Sequence, residues 1–115
     1  MVMGAGGVGG FLGAKLALAG NDVSFVARGA HLQALQQKGL ELQGVEPGLV
    51  PQVRATDQPD DQANPELILF CVKLYDTDAA AQLLKPIAGP ETTVLTLQNG
   101  IESSATLAQH FGPRR

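Results

Sequence analysis

The residues that most clearly suggest chemistry are three closely spaced glycines near the start of the chain. Gly4, Gly6 and Gly9 form the pattern G-x-G-x-x-G, with apolar residues before it and an apolar helical stretch after it. Gly4 permits a tight turn out of a strand, Gly6 lets the backbone approach a pyrophosphate, and Gly9 lets the next helix lie close to a sheet. The pyrophosphate would accept hydrogen bonds from N–H groups at the helix start. The alternative is a glycine-rich turn that binds nothing.

Arg28 is the most informative position after the glycines. It follows an apolar run of β-branched and aromatic residues, at 23–27, which is typical of a buried parallel strand. Enzymes that use NAD usually place Asp or Glu at this point to accept from the ribose 2′-hydroxyl. A guanidinium there would instead bind a 2′-phosphate, so Arg28 favours NADP(H) over NAD(H). The alternative is a solvated arginine at the end of a strand.

Two further polar residues follow predicted strands. Lys73 comes directly after the apolar run 67–72, and Asn99 follows the run 93–97 within Gln-Asn-Gly. Lys73 could neutralise a phosphate or orient the nicotinamide ribose, and Asn99 could hold a carboxamide or a substrate oxygen. The alternatives are a solvent-exposed lysine and an ordinary Asn-Gly turn. Ligands bind at the carboxyl ends of strands in open parallel sheets, so we expect these residues, Arg28 and the glycine turn to line one site.

Other reactive side chains are assigned no chemistry. His31 is interpreted as the start of a short helix, and no spacing argument gives Tyr75 or Asp76 a role. Cys71, the single cysteine, lies within an apolar run and is interpreted as a small buried hydrophobic residue. The sequence predicts no metal site and no disulfide.

The elements that must position these residues alternate between strand and helix. Helices are predicted at 8–19, 31–38, 76–84 and 101–110, with Val8, Phe11, Leu12, Leu16 and Ala19 as the apolar face of the first and Ala79, Ala80, Leu83 and Leu84 as that of the third. Strands are predicted at 1–3, 23–27, 40–42, 50–53, 67–72 and 93–97, with 67–72 central and 57–65 a surface loop. The first strand is short, since three residues span only ~10 Å. The pattern predicts an α/β fold: a Rossmann-type open parallel sheet with helices on both faces.

Composition limits the class of protein. The 115 residues suit a single domain, residues 1–115, and the net charge of −3 with eight scattered basic residues argues against nucleic acid as a partner. The apolar start is interrupted by glycines and lacks a basic region, so it is not interpreted as a signal peptide. No stretch approaches the ~18 apolar residues of a membrane span, which predicts no membrane association and a cytoplasmic protein.

The sequence resembles the N-terminal domain of the ketopantoate reductase family, the 2-dehydropantoate 2-reductases. The matching stretches are Gly-Ala-Gly-Gly-Val-Gly at 4–9, Gly-Asn-Asp-Val-Ser-Phe-Val-Ala-Arg-Gly at 20–29, Cys-Val-Lys at 71–73 and Leu-Gln-Asn-Gly at 97–100. The resemblance implies NADPH-dependent reduction of 2-dehydropantoate to pantoate, toward pantothenate. It also implies that Arg28 and Lys73 meet the adenosine 2′-phosphate region, and that Asn99 sits near the nicotinamide and the substrate. The implied cofactor contacts of the first turn are Gly4, Gly6, Gly7, Val8 and Gly9.

The resemblance also implies what lies outside this sequence. The family carries most substrate contacts, and a lysine that serves as general acid, in a helical C-terminal domain. We therefore expect this chain to bind NADP(H) but to turn over little 2-keto acid alone, and its exposed face to favour self-association.

Three other interpretations stay open. One is a nucleotide-sensing regulatory module, like the ligand-binding domains attached to potassium channels, although those typically have an acidic residue where Arg28 stands. Another is a folded remnant that binds no nucleotide, and the third is a different NADP-linked dehydrogenase with another 2-keto acid substrate.

Overall fold

The computed structural model describes residues 1–43, 47–59, 65–98 and 102–112. The strands in chain order are β1 (Val2–Met3), β2 (Ser24–Val26), β3 (Leu40–Leu42), β4 (Gly48–Val50), β5 (Arg54–Thr56), β6 (Leu67–Phe70) and β7 (Thr93–Thr96). The helices are α1 (Gly7–Leu18), α2 (Gly29–Lys38), α3 (Thr77–Leu84) and α4 (Ser103–Phe111). A 3-10 turn, Leu74–Asp76, precedes α3. The predicted α/β fold is confirmed.

Five strands form a parallel sheet in the order β5-β2-β1-β6-β7. Val2 pairs with Phe25 on one side and with Leu69 on the other, so the two-residue β1 occupies the middle of the sheet. The run predicted to be central, β6, is an inner strand beside it. Because all five strands are parallel, the residues that follow β1, β2 and β6 meet at one edge of the sheet.

Two apolar cores lie on opposite faces of this sheet. Successive strand residues point to opposite faces, so Met3, Val26 and Phe70 pack toward α3 and α4 while Val2, Phe25 and Leu69 pack toward α1 and α2. Phe25 and Phe70 are 1% and 0% exposed. The sheet is therefore covered by helices on both faces, as the unbroken apolar runs predict.

Helix α1 packs on the sheet through its small residues rather than its large ones. Its buried residues are Gly9, Gly10, Gly13 and Ala14. The predicted apolar face is wrong, because Val8, Phe11 and Leu16 are exposed and Leu12 is only partly buried. A Cβ on Gly13 would lie 2.4 Å from the Phe25 ring, so glycine at this face is what permits the close approach.

The segment between α2 and β6 differs most from the prediction. Residues 48–50 pair with β3 in a separate antiparallel ribbon, and Arg54–Thr56 extends the parallel sheet beside β2. The sequence predicts one edge strand at 50–53, but in the structure β4 ends at Val50 and residues 51–53 connect it to β5 through a bend. These strands are only three residues long, so neither shows a repeated alternation pattern.

The ends and faces of the other helices also shift. Helix α2 begins at Gly29, two residues earlier than predicted, which places His31 within its first turn. Ala79 and Leu83, expected to face inward on α3, are exposed, while Thr77 and Ala81 are buried. Among the described residues, no helix has the length and apolar character needed to cross a bilayer.

The close packing of α1 generates a stability prediction. A Cβ on Gly9 would lie 2.0 Å from the Gly4 carbonyl oxygen, and backbone atoms cannot move aside as a flexible side chain can. We expect Gly9→Ala to lower the free energy of unfolding by at least about 3 kcal/mol in urea titrations. Gly7→Ala is the matched control, since its Cβ would meet nothing within 4 Å. A Gly9→Ala protein as stable as the control would contradict this packing.

Candidate cofactor-binding site

An open groove of about 450 Å³ runs along the carboxyl ends of β1, β2 and β6. Its walls include the backbone of the glycine turn and apolar residues such as Met3, Val26 and Leu83. The charged and polar side chains that line it are those of Arg28, His31, Asp57, Lys73 and Asp76. The structure thus brings the glycine turn, Arg28 and Lys73 together, as the sequence predicts.

The glycine turn connects β1 to α1 and forms the floor of the groove. Gly4 has a φ of +95°, a left-handed conformation that favours glycine, and its N–H donates to the Val26 carbonyl at 3.1 Å. Gly6 is the N-cap residue of α1 and offers no side chain to cap the helix. A Cβ on Gly6 or Gly7 would meet nothing within 4 Å, so this backbone faces open space. The first N–H groups of α1 are therefore accessible to an anion.

Arg28 lies at the start of α2, directly after β2, with its side chain 83% exposed. Its Nη2 is 3.5 Å from Oδ2 of Asp76, which ends the 3-10 turn after β6. The sequence gives Asp76 no role, because residues 28 and 76 are far apart along the chain. Only the parallel order of β2, β1 and β6 brings them to the same groove.

His31 connects α2 to the glycine turn. Its Nε2 lies 2.9 Å from the Ala5 carbonyl oxygen. A carbonyl only accepts hydrogen bonds, so this contact requires the hydrogen on Nε2. The interpretation of His31 as a helix start missed the contact, since α2 begins at Gly29 and places the imidazole against the turn. The side chain holds the first turn of α2, and with it Arg28, near the glycines.

Lys73 follows β6 and lines the groove as predicted. Its carbonyl accepts from the Asp76 N–H at 2.9 Å, which closes the 3-10 turn. The chain direction at Lys73 is therefore set by that turn, and the residue is exposed.

Gln98 ties the end of β7 to the end of β6. Its Nε2 donates to the Val72 carbonyl at 3.0 Å and to Thr77 Oγ1 at 2.8 Å, and its Oε1 accepts from Thr96 Oγ1 at 3.1 Å. The carboxamide thus fixes the backbone just before Lys73 and the start of α3. The sequence offered a signal, the Gln-Asn-Gly stretch, but the prediction rested on Asn99. Asn99 lies outside the described residues.

Cys71 lies beside the glycine turn and is partly buried. Burial raises the pKa of its thiol above the usual value, which keeps it protonated and poorly nucleophilic near neutral pH. The sequence predicts a buried Cys71, whereas the residue is only partly buried and lines the groove.

A parallel sheet covered by helices on both faces, with a glycine turn opening into a helix at its carboxyl edge, defines a Rossmann-like α/β domain. A protein-family model described as "Ketopantoate reductase PanE/ApbA" matches residues 1–115. The chain belongs to this family, and the predicted resemblance is confirmed.

Individual relatives agree with the family match. The chain is 40% identical over 102 residues to a 2-dehydropantoate 2-reductase of Mesorhizobium japonicum, covering 87% of this chain and 31% of the relative. It is 41% identical over 110 residues to the Archaeoglobus fulgidus 2-dehydropantoate 2-reductase, and the match covers 95% of this chain and 35% of that relative. Among solved structures, the chain superposes on a PanE/ApbA family ketopantoate reductase from Ralstonia eutropha JMP134 with a TM-score of 0.87 and 39% sequence identity. The match covers 97% of this chain and 39% of that crystal structure's chain. The chain thus spans about a third of the length of these curated relatives.

The Gln98 contacts generate the next prediction. Gln98→Ala removes the donors to the Val72 carbonyl and Thr77 and leaves these partly buried groups without their partner. We expect a loss of about 1–3 kcal/mol in the free energy of unfolding. Gln36→Ala is the matched control, because Gln36 is exposed and, among the described residues, its side chain donates to the Ala55 carbonyl alone. Equal effects of the two substitutions, measured by urea unfolding, would show that the Gln98 carboxamide does not hold the strand ends.

Proposed function

We propose that this chain forms the NADPH-binding part of an oxidoreductase that reduces 2-dehydropantoate to pantoate. The observation that carries the proposal is the placement of Arg28 beside the groove that the glycine turn opens. The chain's family supports it, as do relatives that are themselves named 2-dehydropantoate 2-reductases.

The residues of the groove fit a phosphorylated dinucleotide. The open space in front of Gly6 and Gly7 admits a pyrophosphate against the backbone, where the helix dipole of α1 favours negative charge. No acidic residue lies in the first turn of α1 to oppose it. Arg28, with its planar and permanently charged guanidinium, suits the adenosine 2′-phosphate. Lys73 would add a second positive charge at the same edge of the sheet.

The chemistry of the reaction divides between the cofactor and the protein. NADPH, when bound, supplies the hydride that reduces the keto carbon of the substrate. The groove residues would bind and orient the cofactor. The glycine turn would hold its pyrophosphate, and Arg28 and Lys73 would hold its 2′-phosphate. Asn99 is proposed to position the nicotinamide and the substrate. Reduction of a ketone also requires a proton for the resulting alkoxide, and by family resemblance the lysine that donates it belongs to a further, helical domain.

The role of Arg28 has a direct test. Arg28→Ala should weaken NADPH binding about 10- to 100-fold, because a hydrogen-bonded ion pair with phosphate contributes about 1.5–3 kcal/mol. NADH binding should change less than about threefold, since it has no 2′-phosphate. Isothermal titration calorimetry measures both constants on the full chain.

Arg54→Ala is the matched control for this measurement. Arg54 begins β5, so it lies at the amino ends of the parallel strands, away from the groove at their carboxyl ends, and it pairs with Asp22. Its removal should leave both affinities unchanged. Equal weakening of NADPH and NADH by Arg28→Ala would overturn the 2′-phosphate role. A wild-type chain that binds AMP or NAD more tightly than NADPH would favour a nucleotide-sensing module instead.

A turnover measurement tests whether the chain binds the cofactor without catalysing the reduction. The chain alone, mixed with NADPH and 2-dehydropantoate, should bind the cofactor yet oxidise it no faster than buffer, as followed by NADPH absorbance. The 2-dehydropantoate 2-reductase of Mesorhizobium japonicum, assayed in parallel, is the positive control. Turnover by the chain that Arg28→Ala abolishes would show that the proton donor lies within these 115 residues.

A further inference from the structure

We infer that Asp76 is a specificity-determining residue, which acts as the counter-ion of Arg28 in the free protein and thereby weakens the preference of the groove for a 2′-phosphorylated nucleotide. This inference rests on the proposed function, since it concerns how the same groove chooses between ligands.

The ion pair joins residues that follow two strands on either side of β1. Arg28 follows β2 and Asp76 follows the 3-10 turn after β6, and β1 lies between these two strands. The contact of 3.5 Å between Nη2 and Oδ2 therefore spans the carboxyl end of β1, above the start of the glycine turn. A nucleotide lying along this edge of the sheet meets the ion pair.

The Asp76 side chain does not cap the N-terminus of α3. Asp76 is the N-cap residue of that helix, a position where aspartate usually accepts hydrogen bonds from the first backbone N–H groups. Its side chain makes no such capping bond. The carboxylate contacts Arg28 instead, and the backbone N–H of Asp76 donates to the Lys73 carbonyl. The Asp76 carboxylate thus lies against Arg28 at the groove and makes no hydrogen bond to the N–H groups that begin α3.

The two partners differ in exposure. The Asp76 side chain is 28% exposed and sits on a turn closed by a backbone hydrogen bond, whereas the Arg28 side chain is 83% exposed. Arg28 is therefore the partner free to move to an incoming phosphate, and Asp76 is the fixed one. Besides this pair, the ionisable side chains lining the groove, among the described residues, are those of Asp57, His31, Lys73 and Cys71.

The consequence is opposite for the two kinds of nucleotide. A 2′-phosphate must take Arg28 from Asp76 and then lie near a fixed carboxylate of like charge, which lowers its affinity. A ribose 2′-hydroxyl carries no charge and can donate a hydrogen bond to a carboxylate. Arg28 thus raises the affinity for a 2′-phosphorylated nucleotide and Asp76 lowers it. Removing the Asp76 charge should therefore increase the preference for such a nucleotide over one without the 2′-phosphate.

The test uses the full chain and two small probes, adenosine 2′,5′-bisphosphate and AMP, which differ only in the 2′-phosphate. Calorimetry with Asp76→Asn should show about 3- to 10-fold tighter binding of the bisphosphate and less than a twofold change for AMP. Asparagine is an equally good N-cap residue, so the substitution keeps the helix start. A folding defect would lower both affinities together and leave their ratio unchanged.

Two comparisons isolate the mechanism. Glu66→Gln removes the same charge before the amino end of β6, away from the groove, and should leave both affinities as in the wild type. In a chain that also carries Arg28→Ala, the gain from Asp76→Asn should be clearly smaller than in the chain with Arg28, because only the like-charge repulsion between the carboxylate and the 2′-phosphate is then relieved and no guanidinium is released. A gain as large as in the chain with Arg28 would overturn the counter-ion role.

The outcomes separate this inference from the proposed function. A wild-type chain that binds neither probe nor NADPH overturns the proposed function and this inference with it. A wild-type chain that binds the bisphosphate, with Asp76→Asn leaving its affinity unchanged or reduced, overturns only the role of Asp76.

Discussion

The contact between helix α1 and the turn that precedes it constrains the rest of the structure. A Cβ on Gly9 would lie 2.0 Å from the Gly4 carbonyl and 3.1 Å from Val2, so the helix rests on the backbone of the strand that leads into it. This approach sets the position of the first turn of α1 beside the groove, which Gly4, Ala5 and Gly6 line. A larger residue at that face would move the helix away, and the geometry of the glycine turn would be lost with the packing.

Electrostatics act locally in this molecule. The chain has a net charge of −3, yet the groove combines Arg28 and Lys73 with the unpaired N–H groups of a helix start. Asp57 and Asp76 partly balance these positive groups.

The parts of the fold that could be predicted from the sequence are those specified by local patterns. The glycine turn, the buried run at β6 and the helix ends near Gly39 and Pro86 carry signals within a few neighbouring residues. The face that α1 buries could not be predicted from periodicity, because its glycines look weakly apolar while Val8 and Phe11 look like core residues. The contacts of Arg28 with Asp76 and of His31 with Ala5 depend on strand order, which no local pattern encodes.

The position of the shortest strand has a consequence for how the chain acquires its fold. Val2 needs Leu69 on one side and Phe25 on the other, so the middle of the sheet joins residues that are distant in sequence. A high contact order of this kind slows folding, and during synthesis on the ribosome the first residues stay unpaired on one side until β6 has emerged. Until then Val2 and Met3 lack one of their two pairing strands, which leaves an unpaired strand edge and apolar side chains exposed to aggregation.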